Sequence, residues 1–277
     1  MTGVILALVA SVSWGSADFL GGVTSKRLPT LTVSAVSQFV GLLFTLVLVL
    51  VTGAAMPGER ALLYGLGAGL LGSVGLVALY AGLAIGPMGV VAPLVSTSAL
   101  IPFAAGLLQG ERPEAIQLVG AALALGGVAL AARHRDEEGA RVHPRAVVLA
   151  IVAAVALGLM FVLLNEAAAD GAAWSVLRVR VGAVSLLLVA LVVRRPSFSM
   201  DGEQLATLAG IGVLDNGANM LFVLAAQRGL LSLIAVLASL YPVTTVLLAR
   251  VSLNERLSRV QIAGVVAALA GVALIAL

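Results

Sequence analysis

Cysteine is absent from these 277 residues, aromatic side chains make up 4 %, and charged side chains only 10 %. Without thiols there are no disulfides and no thiol chemistry, and nothing follows about compartment. The two histidines, His134 and His143, fall in one polar stretch, so neither a structural metal site nor a bound cofactor is expected. So little charge cannot cover the surface of a soluble domain. A pI near 9.9 with a net charge of only +3 reads as the loop arginines of a membrane protein, not as a nucleic-acid interface. A paired nucleophile and base, a phosphate loop and metal-ligand spacing are all missing, which argues against an enzyme. Gly65-x-Gly-x-Gly69 lies in an apolar run, where close packing of helices through small residues accounts for it.

What is present is apolar length. The chain is 61 % hydrophobic with a mean hydropathy of +1.15. Gly, Pro or charge interrupts its apolar runs about every 25 residues, too long for barrel strands and right for bilayer-spanning helices. Such helices satisfy their own backbone hydrogen bonds in lipid. Met1 to Leu8 has no basic segment and the following run carries Asp18, so it reads as a retained helix rather than a signal peptide. The breakers predict helices over 3–23, 30–52, 61–85, 88–109 and 114–133, then 146–167, 172–193, 204–226, 230–251 and 258–277. The polar connector 134–145 separates them into two fives.

The two fives repeat one another. Glu111-Arg-Pro-Glu-Ala-Ile-Gln-Leu-Val-Gly120 is echoed by Glu255-Arg-Leu-Ser-Arg-Val-Gln-Ile-Ala-Gly264, and Gly127-Val-Ala-Leu130 by Gly271-Val-Ala-Leu274. Similar offsets place Trp14-Gly15 over Leu157-Gly158 and Gly41 over Gly182. Five is odd, so the second unit enters the membrane from the opposite face. The expectation is an all-α membrane protein of ten transmembrane helices in two inverted five-helix repeats, 1–133 and 146–277, with a site near the midplane.

Trp14-Gly15-Ser16 in the first helix, and Gly110-Glu111-Arg112 and Asn254-Glu255-Arg256 after the fourth and ninth, resemble the EamA-type drug/metabolite transporter superfamily over essentially the whole chain. The resemblance implies a central cavity lined by the first, third, fourth, sixth, eighth and ninth helices. It also implies movement of small metabolites, often outward. The chain departs from the family where an arginine-aromatic pair is common in the second helix: it has Gln38-Phe39, and arginine occurs only in the second half, as Arg178 or Arg180.

A charge at mid-membrane costs at least about 2.5–3.5 kcal/mol and needs a partner or a wet cavity. Asp215 shares a helix face with Gly212 and Asn219, either as a cavity wall or as a hydrogen-bonded lock between helices. Asp18 shares a face with Ser11, Trp14, Gly15 and Gly22, and either lines the cavity or reaches the headgroups. Trp14 is core packing or a cavity wall whose face holds a cation or ring. Arg178, with Trp174, Gly182 and Ser185, either holds a substrate carboxylate or pairs with a neighbouring helix, while Arg180 on the opposite side snorkels along its stem. Tyr80 is a lone hydroxylated aromatic. Pro93 and Pro102 around Ser96-Thr97-Ser98, and Tyr241-Pro242, interrupt the fourth and ninth helices, as binding-region helices do. The Glu111 and Glu255 loops cap or pair locally.

The expected function is a multi-pass secondary transporter in the cell membrane, exporting amino acids or related compounds by alternating access. Trp14, Asp18, Tyr80, Arg178, Asp215 and Asn219 would bind the substrate. The partners are the lipid bilayer, the solute and a coupling proton, and the chain is a monomer or homodimer. A sugar or nucleotide-sugar carrier and a non-transporting scaffold or sensor subunit are the alternatives. With ten spans, the side bearing the termini holds Arg60, Arg112 and Arg228. The other side holds Lys26, Arg27, Arg133, Arg135, Arg141, Arg145, Arg194, Arg195, Arg250, Arg256 and Arg259. The excess of basic residues marks the cytoplasm and places both termini outside, opposite to the usual arrangement in the superfamily.

Overall fold

The computed structural model describes residues 1–53, 58–86, 88–131, 143–168, 171–196, 199–252 and 259–276. Most of the 134–145 connector, including His134, and the Asn254-Glu255-Arg256 motif lie outside the described residues. The described ones are helical apart from turns and links. In chain order the helices are α1 (Thr2–Thr24), α2 (Thr30–Thr52), α3 (Glu59–Ile85), α4 (Met88–Ser96), α5 (Leu100–Leu108) and α6 (Ala115–Ala131). They continue with α7 (Pro144–Ala167), α8 (Ala172–Arg194), α9 (Gly202–Ala226), α10 (Leu231–Ala238), α11 (Tyr241–Ser252) and α12 (Arg259–Ala276). Among the described residues, eight helical stretches are long and apolar enough to cross a membrane. Two shorter apolar helices, Ala115–Leu130 and Val266–Ile275, accompany them.

Local chemistry sets the ends. Asp201 and Gln204 form a reciprocal capping box, with Gln204 N–H donating to Asp201 Oδ1 at 2.7 Å and Asp201 N–H to Gln204 Oε1 at 3.1 Å. Helix α9 therefore starts two residues before the expected 204. His143 Nδ1 accepts from Arg145 N–H at 3.1 Å, and Pro144 takes the first helical position, where its missing N–H costs nothing. That starts α7 two residues before the expected 146.

Two expected spans are broken. A 3-10 turn, Thr97–Ala99, separates α4 from α5, and Ser239-Leu240 separates α10 from α11. Pro102 and Pro242 then sit in the first turn of α5 and α11, where proline cannot donate to the preceding turn and tolerates a fresh helix start.

The surface is unlike that of a water-soluble fold. Large apolar side chains face outward, as with Val51 (79 % exposed), Val193 (73 %) and Leu50 (71 %). The interior combines an apolar core, with Leu83, Leu164, Ile211 and Phe222 fully buried among many alanines, with polar groups such as Thr32, Ser37, Gln38, Thr45, Asp215 and Asn216. Lipid rewards that arrangement, since apolar side chains gain nothing by leaving it and polar ones do.

The principal packing pairs join the two halves: α1 with α9 and α3 with α7, α3 with α8 and α2 with α9, α1 with α11 and α4 with α7, α2 with α8, α5 with α10, and α6 with α12. Glycines permit the approach. A Cβ on Gly127 would stand 2.7 Å from the Gly264 carbonyl oxygen, and one on Gly271 2.6 Å from that of Gly120. At one end of the bundle Met1, Gln117, Arg228, Gly229 and Ile275 line a shared depression, which puts the starts of α1 and α6, the α9–α10 link and the end of α12 together.

Of the two expected roles of the Glu111 loop, capping is the one observed, though the helix it caps is distant in sequence. Its carboxylate accepts from Leu231 N–H at 2.6 Å and Ser232 N–H at 2.9 Å, capping the start of α10 from the other half of the chain. A helix N-terminus exposes unpaired N–H groups and a partial positive charge, so a carboxylate is its best partner. Gly106 makes room, because a Cβ there would meet the carboxylate at 2.3 Å.

Candidate functional site

Asp215, buried at mid-α9, is the centre of a polar network built from four helices. Arg180 Nη1 of α8 donates to its Oδ2 at 2.8 Å, an ion pair, and Gln38 Nε2 of α2 donates to the same oxygen at 2.9 Å. Trp14 Nε1 of α1 donates to Oδ1 at 3.2 Å. Asn219, one turn on, donates to the Asp215 carbonyl at 2.7 Å and more weakly to Oδ1 at 3.4 Å. Arg180 also donates through Nη1 to Gln38 Oε1 and through Nε to Asn216 Oδ1 at 2.8 Å. The Gln38 amide thus presents its N–H to a carboxylate and its oxygen to a guanidinium, the one orientation that satisfies both. A charge pair removed from water needs its remaining donors and acceptors matched, and here the matching is incomplete: Arg180 Nη2, Asn216 Nδ2 and Asn219 Oδ1 are buried with no hydrogen-bond partner among the described residues.

Packing makes space for this. Gly41, one turn beyond Gln38, lies beside the network: a Cβ on it would be in ordinary contact with Arg180 Nε, at 3.5 Å. On the other flank, Trp14 stacks edge-on to Phe161 of α7 (centroids 5.2 Å) and against Phe222 (5.8 Å), with the two phenyl rings 4.9 Å apart. Its indole is held at both ends, by rings and by Asp215.

These groups bound a narrow cavity of about 50 Å³. That is room for a few water molecules, well short of the several hundred Å³ that enclose a drug-sized ligand. Its polar wall is Trp14, Asp18, Gln38, Arg180, Asp215 and Asn219, with Tyr241 and Ser98 from the two broken spans; leucines 76, 79 and 157, Met160 and Phe161 make the apolar wall.

Of the six residues singled out in the sequence, Trp14, Asp18, Asp215 and Asn219 line this cavity. Asp215 is both a cavity wall and a helix lock, whereas Gly212 on its stripe packs on α2, where a Cβ would lie 2.4 Å from the Ser37 carbonyl oxygen. Tyr80 is fully buried behind the wall with its ring against Gly21. Arg178 is buried at the α3–α8 contact, its Cβ 2.6 Å from the position a Cβ would take on Gly65. Arg180 corrects the sequence reading. It does not snorkel to the surface but is 3 % exposed and pairs with Asp215. Helices α2 and α9 close over it and Asp215 supplies the countercharge, neither of which a single-helix projection contains.

Sequence reasoning did not select Gln38, Asn216 or Phe161, and took Tyr241 only as part of the Tyr241-Pro242 interruption. For Gln38 a signal existed, a hydrogen-bonding side chain at mid-helix where the superfamily more often has arginine. Phe161 had none.

The family model of the EamA-like transporter family matches residues 1–133 and again 144–277. No curated protein matches the sequence. A solved crystal structure of a protein is similar over 98 % of this chain and 95 % of that one, with a TM-score of 0.80 at 20 % identity, a likeness that carries the fold alone.

Proposed function

The chain belongs to the EamA-like transporter family of the drug/metabolite transporter superfamily, and on that premise we propose a secondary transporter that exports amino acids or related small polar metabolites across the cell membrane by alternating access. Members of the family are membrane transporters of small molecules rather than enzymes. In this reading the chain crosses the membrane ten times, as two inverted five-helix repeats over 1–133 and 146–277 joined by 134–145. The broken α4–α5 and α10–α11 units count as one span each.

The observation that carries the proposal is the internal two-fold pattern of close contacts around the cavity. A Cβ on Gly15 would meet the Tyr241 carbonyl oxygen (2.4 Å) and Thr244 Cβ (2.5 Å); one on Gly158 would meet the Ser98 carbonyl oxygen (2.7 Å) and Ile101 Cβ (2.9 Å). Each of the three positions recurs 143 residues later, since 158 − 15, 241 − 98 and 244 − 101 are equal. Each half thus sets a glycine of its first span against the break in the other half's fourth. Inverted repeats with interrupted helices at the midplane suit a site reached alternately from either side. Trp14, Asp18, Asp215 and Asn219 face the solute, Arg180 supplies the basic group at the cavity, and Tyr80 and Arg178 support the wall. Protons serve as the coupling ion.

Proteoliposomes loaded with a labelled metabolite mixture test this. One class of solute should leave faster than from protein-free vesicles, and an imposed pH gradient should change its rate. Equal leakage of every solute from both vesicle types would overturn the reading.

A further inference from the structure

At the cavity, the network around Asp215 ends on two open atoms of opposite kind. Arg180 is 3 % exposed and engages Asp215 and Gln38 through Nη1 and Asn216 through Nε, but its Nη2 makes no hydrogen bond among the described residues. Asn219 is 4 % exposed and turns Nδ2 to the Asp215 carbonyl and carboxylate, which leaves its Oδ1 without a partner. Both residues line the cavity, whereas Asn216, whose Nδ2 is also open, does not. A buried donor or acceptor with no partner loses its whole hydration, and a ligand in the cavity would recover that loss for Nη2 and Oδ1 together.

The two atoms ask for different partners. Nη2 is the remaining donor of a charged planar fork, which suits a carboxylate. Oδ1 can only accept, so it suits an N–H or O–H. They flank one side chain, Arg180 at Asp215 Oδ2 and Asn219 at Oδ1, so Asp215 positions both. A solute with a carboxylate and a donor a few bonds apart fits the pair. Tyr241 Oη, also on the cavity and without a partner among the described residues, donates or accepts and does not choose between ligands. Charge does choose. The wall sets two carboxyl groups, Asp18 and Asp215, against one guanidinium, so it has no excess of positive charge. A solute with a carboxylate alone would carry an uncompensated negative charge into the bundle, and one with its own ammonium would not.

We infer that Arg180, through Nη2, anchors the carboxylate of the solute, that Asn219 Oδ1 takes its ammonium, and that the solute is an α-amino acid with an apolar side chain. This rests on the transporter reading and narrows its substrate class. An amine without a carboxylate would leave Nη2 open, and so would a neutral sugar. The apolar side chain lies along Leu76, Leu79, Met160 and Phe161, into which the narrow cavity opens as the halves move.

The test is equilibrium binding of labelled L-leucine and L-phenylalanine to the purified full chain in lipid nanodiscs. Each competes with its own amide, which lacks the carboxylate, and with its own deamino acid, 4-methylpentanoate or 3-phenylpropionate. At least one amino acid should bind, with both of its analogues weaker by about tenfold or more. Arg180→Lys keeps the charge against Asp215 and loses the fork, so it should weaken the amino acid about tenfold and leave the amide unchanged. Asn219→Ala should weaken the amino acid severalfold and leave the deamino acid unchanged. A merely structural role would weaken amino acid and analogue alike, and that pattern overturns the inference. No binding of either amino acid, or an amide that competes as well as its amino acid, overturns it too. Should Arg180→Lys fail to fold, the competitor series and Asn219→Ala decide alone. Vesicles that export a solute without a carboxylate, at a rate that Arg180→Lys leaves unchanged, sink the anchor and leave the transporter standing. Arg180-dependent amino-acid binding without flux of any solute does the reverse.

Discussion

Removing the Asp215 carboxylate should be among the most costly single changes in the chain. Asp215→Ala takes away the acceptor for Arg180 at 2.8 Å, Gln38 at 2.9 Å and Trp14 at 3.2 Å, and strands a guanidinium that is 3 % exposed. Breaking a buried pair by deleting one partner costs about 3–5 kcal/mol. The stranded Gln38 and Trp14 donors push the loss toward the upper end, not beyond it, because such losses do not add within one network. Arg180→Met should cost a similar amount by leaving the carboxylate unpaired. The double variant, which buries no ion, should be more stable than the sum of the two losses predicts, by at least about 1.5 kcal/mol of coupling. Equilibrium unfolding in mixed micelles of rising SDS fraction, followed by far-UV circular dichroism, measures all four corners of the cycle. Single-variant losses below about 1 kcal/mol, the scale of a solvent-exposed pair, would refute the reasoning. So would zero coupling.

Gly15→Ala should destabilise by about 1–3 kcal/mol and slow flux, because its Cβ would stand 2.4 Å from a backbone oxygen of α11. Gly126→Ala on α6, with open space around it, should be neutral or gain up to about 1 kcal/mol in the same unfolding assay. Glu111→Ala should cost about 1–2 kcal/mol through the uncapped start of α10, and Glu111→Asp should restore little if the reach across the halves matters. For orientation, a reporter active only in the cytoplasm should stay silent after Leu277 and be active near Gly139. The opposite pattern reverses the arrangement drawn from the basic residues.

Length, hydropathy and breakers carried the helices, because a lipid-facing span is defined by its own composition. The expected 30–52 coincides with α2, and other ends moved by a few residues where caps such as Asp201–Gln204 extend them. The proline clusters pointed to the regions of the two broken spans. The polar centre was only half legible. Asp215 and Asn219 stood out because they sit on one helix face, a local property. The choice between Arg178 and Arg180 depends on which neighbour lies opposite, and Arg180 lies under α2 and α9, whose placement no single helix encodes. The partner of Glu111 is 120 residues away at Leu231, beyond any local rule.

Because the main packing surfaces lie between halves, the chain behaves as an obligate partnership of two subunits that happen to be joined, and synthesis delivers one before the other. Gln38 meets its partners only when Arg180, 142 residues later, and Asp215, 177 residues later, have been made. At typical elongation rates that interval is roughly 10–30 s. Throughout it the first half holds the Gln38 amide and the Trp14 indole N–H in the bilayer with none of the second half's groups to meet them. Water, headgroups or the insertion machinery must satisfy them in the meantime. The arrival of α8 and α9 is the event that lets the first half become native.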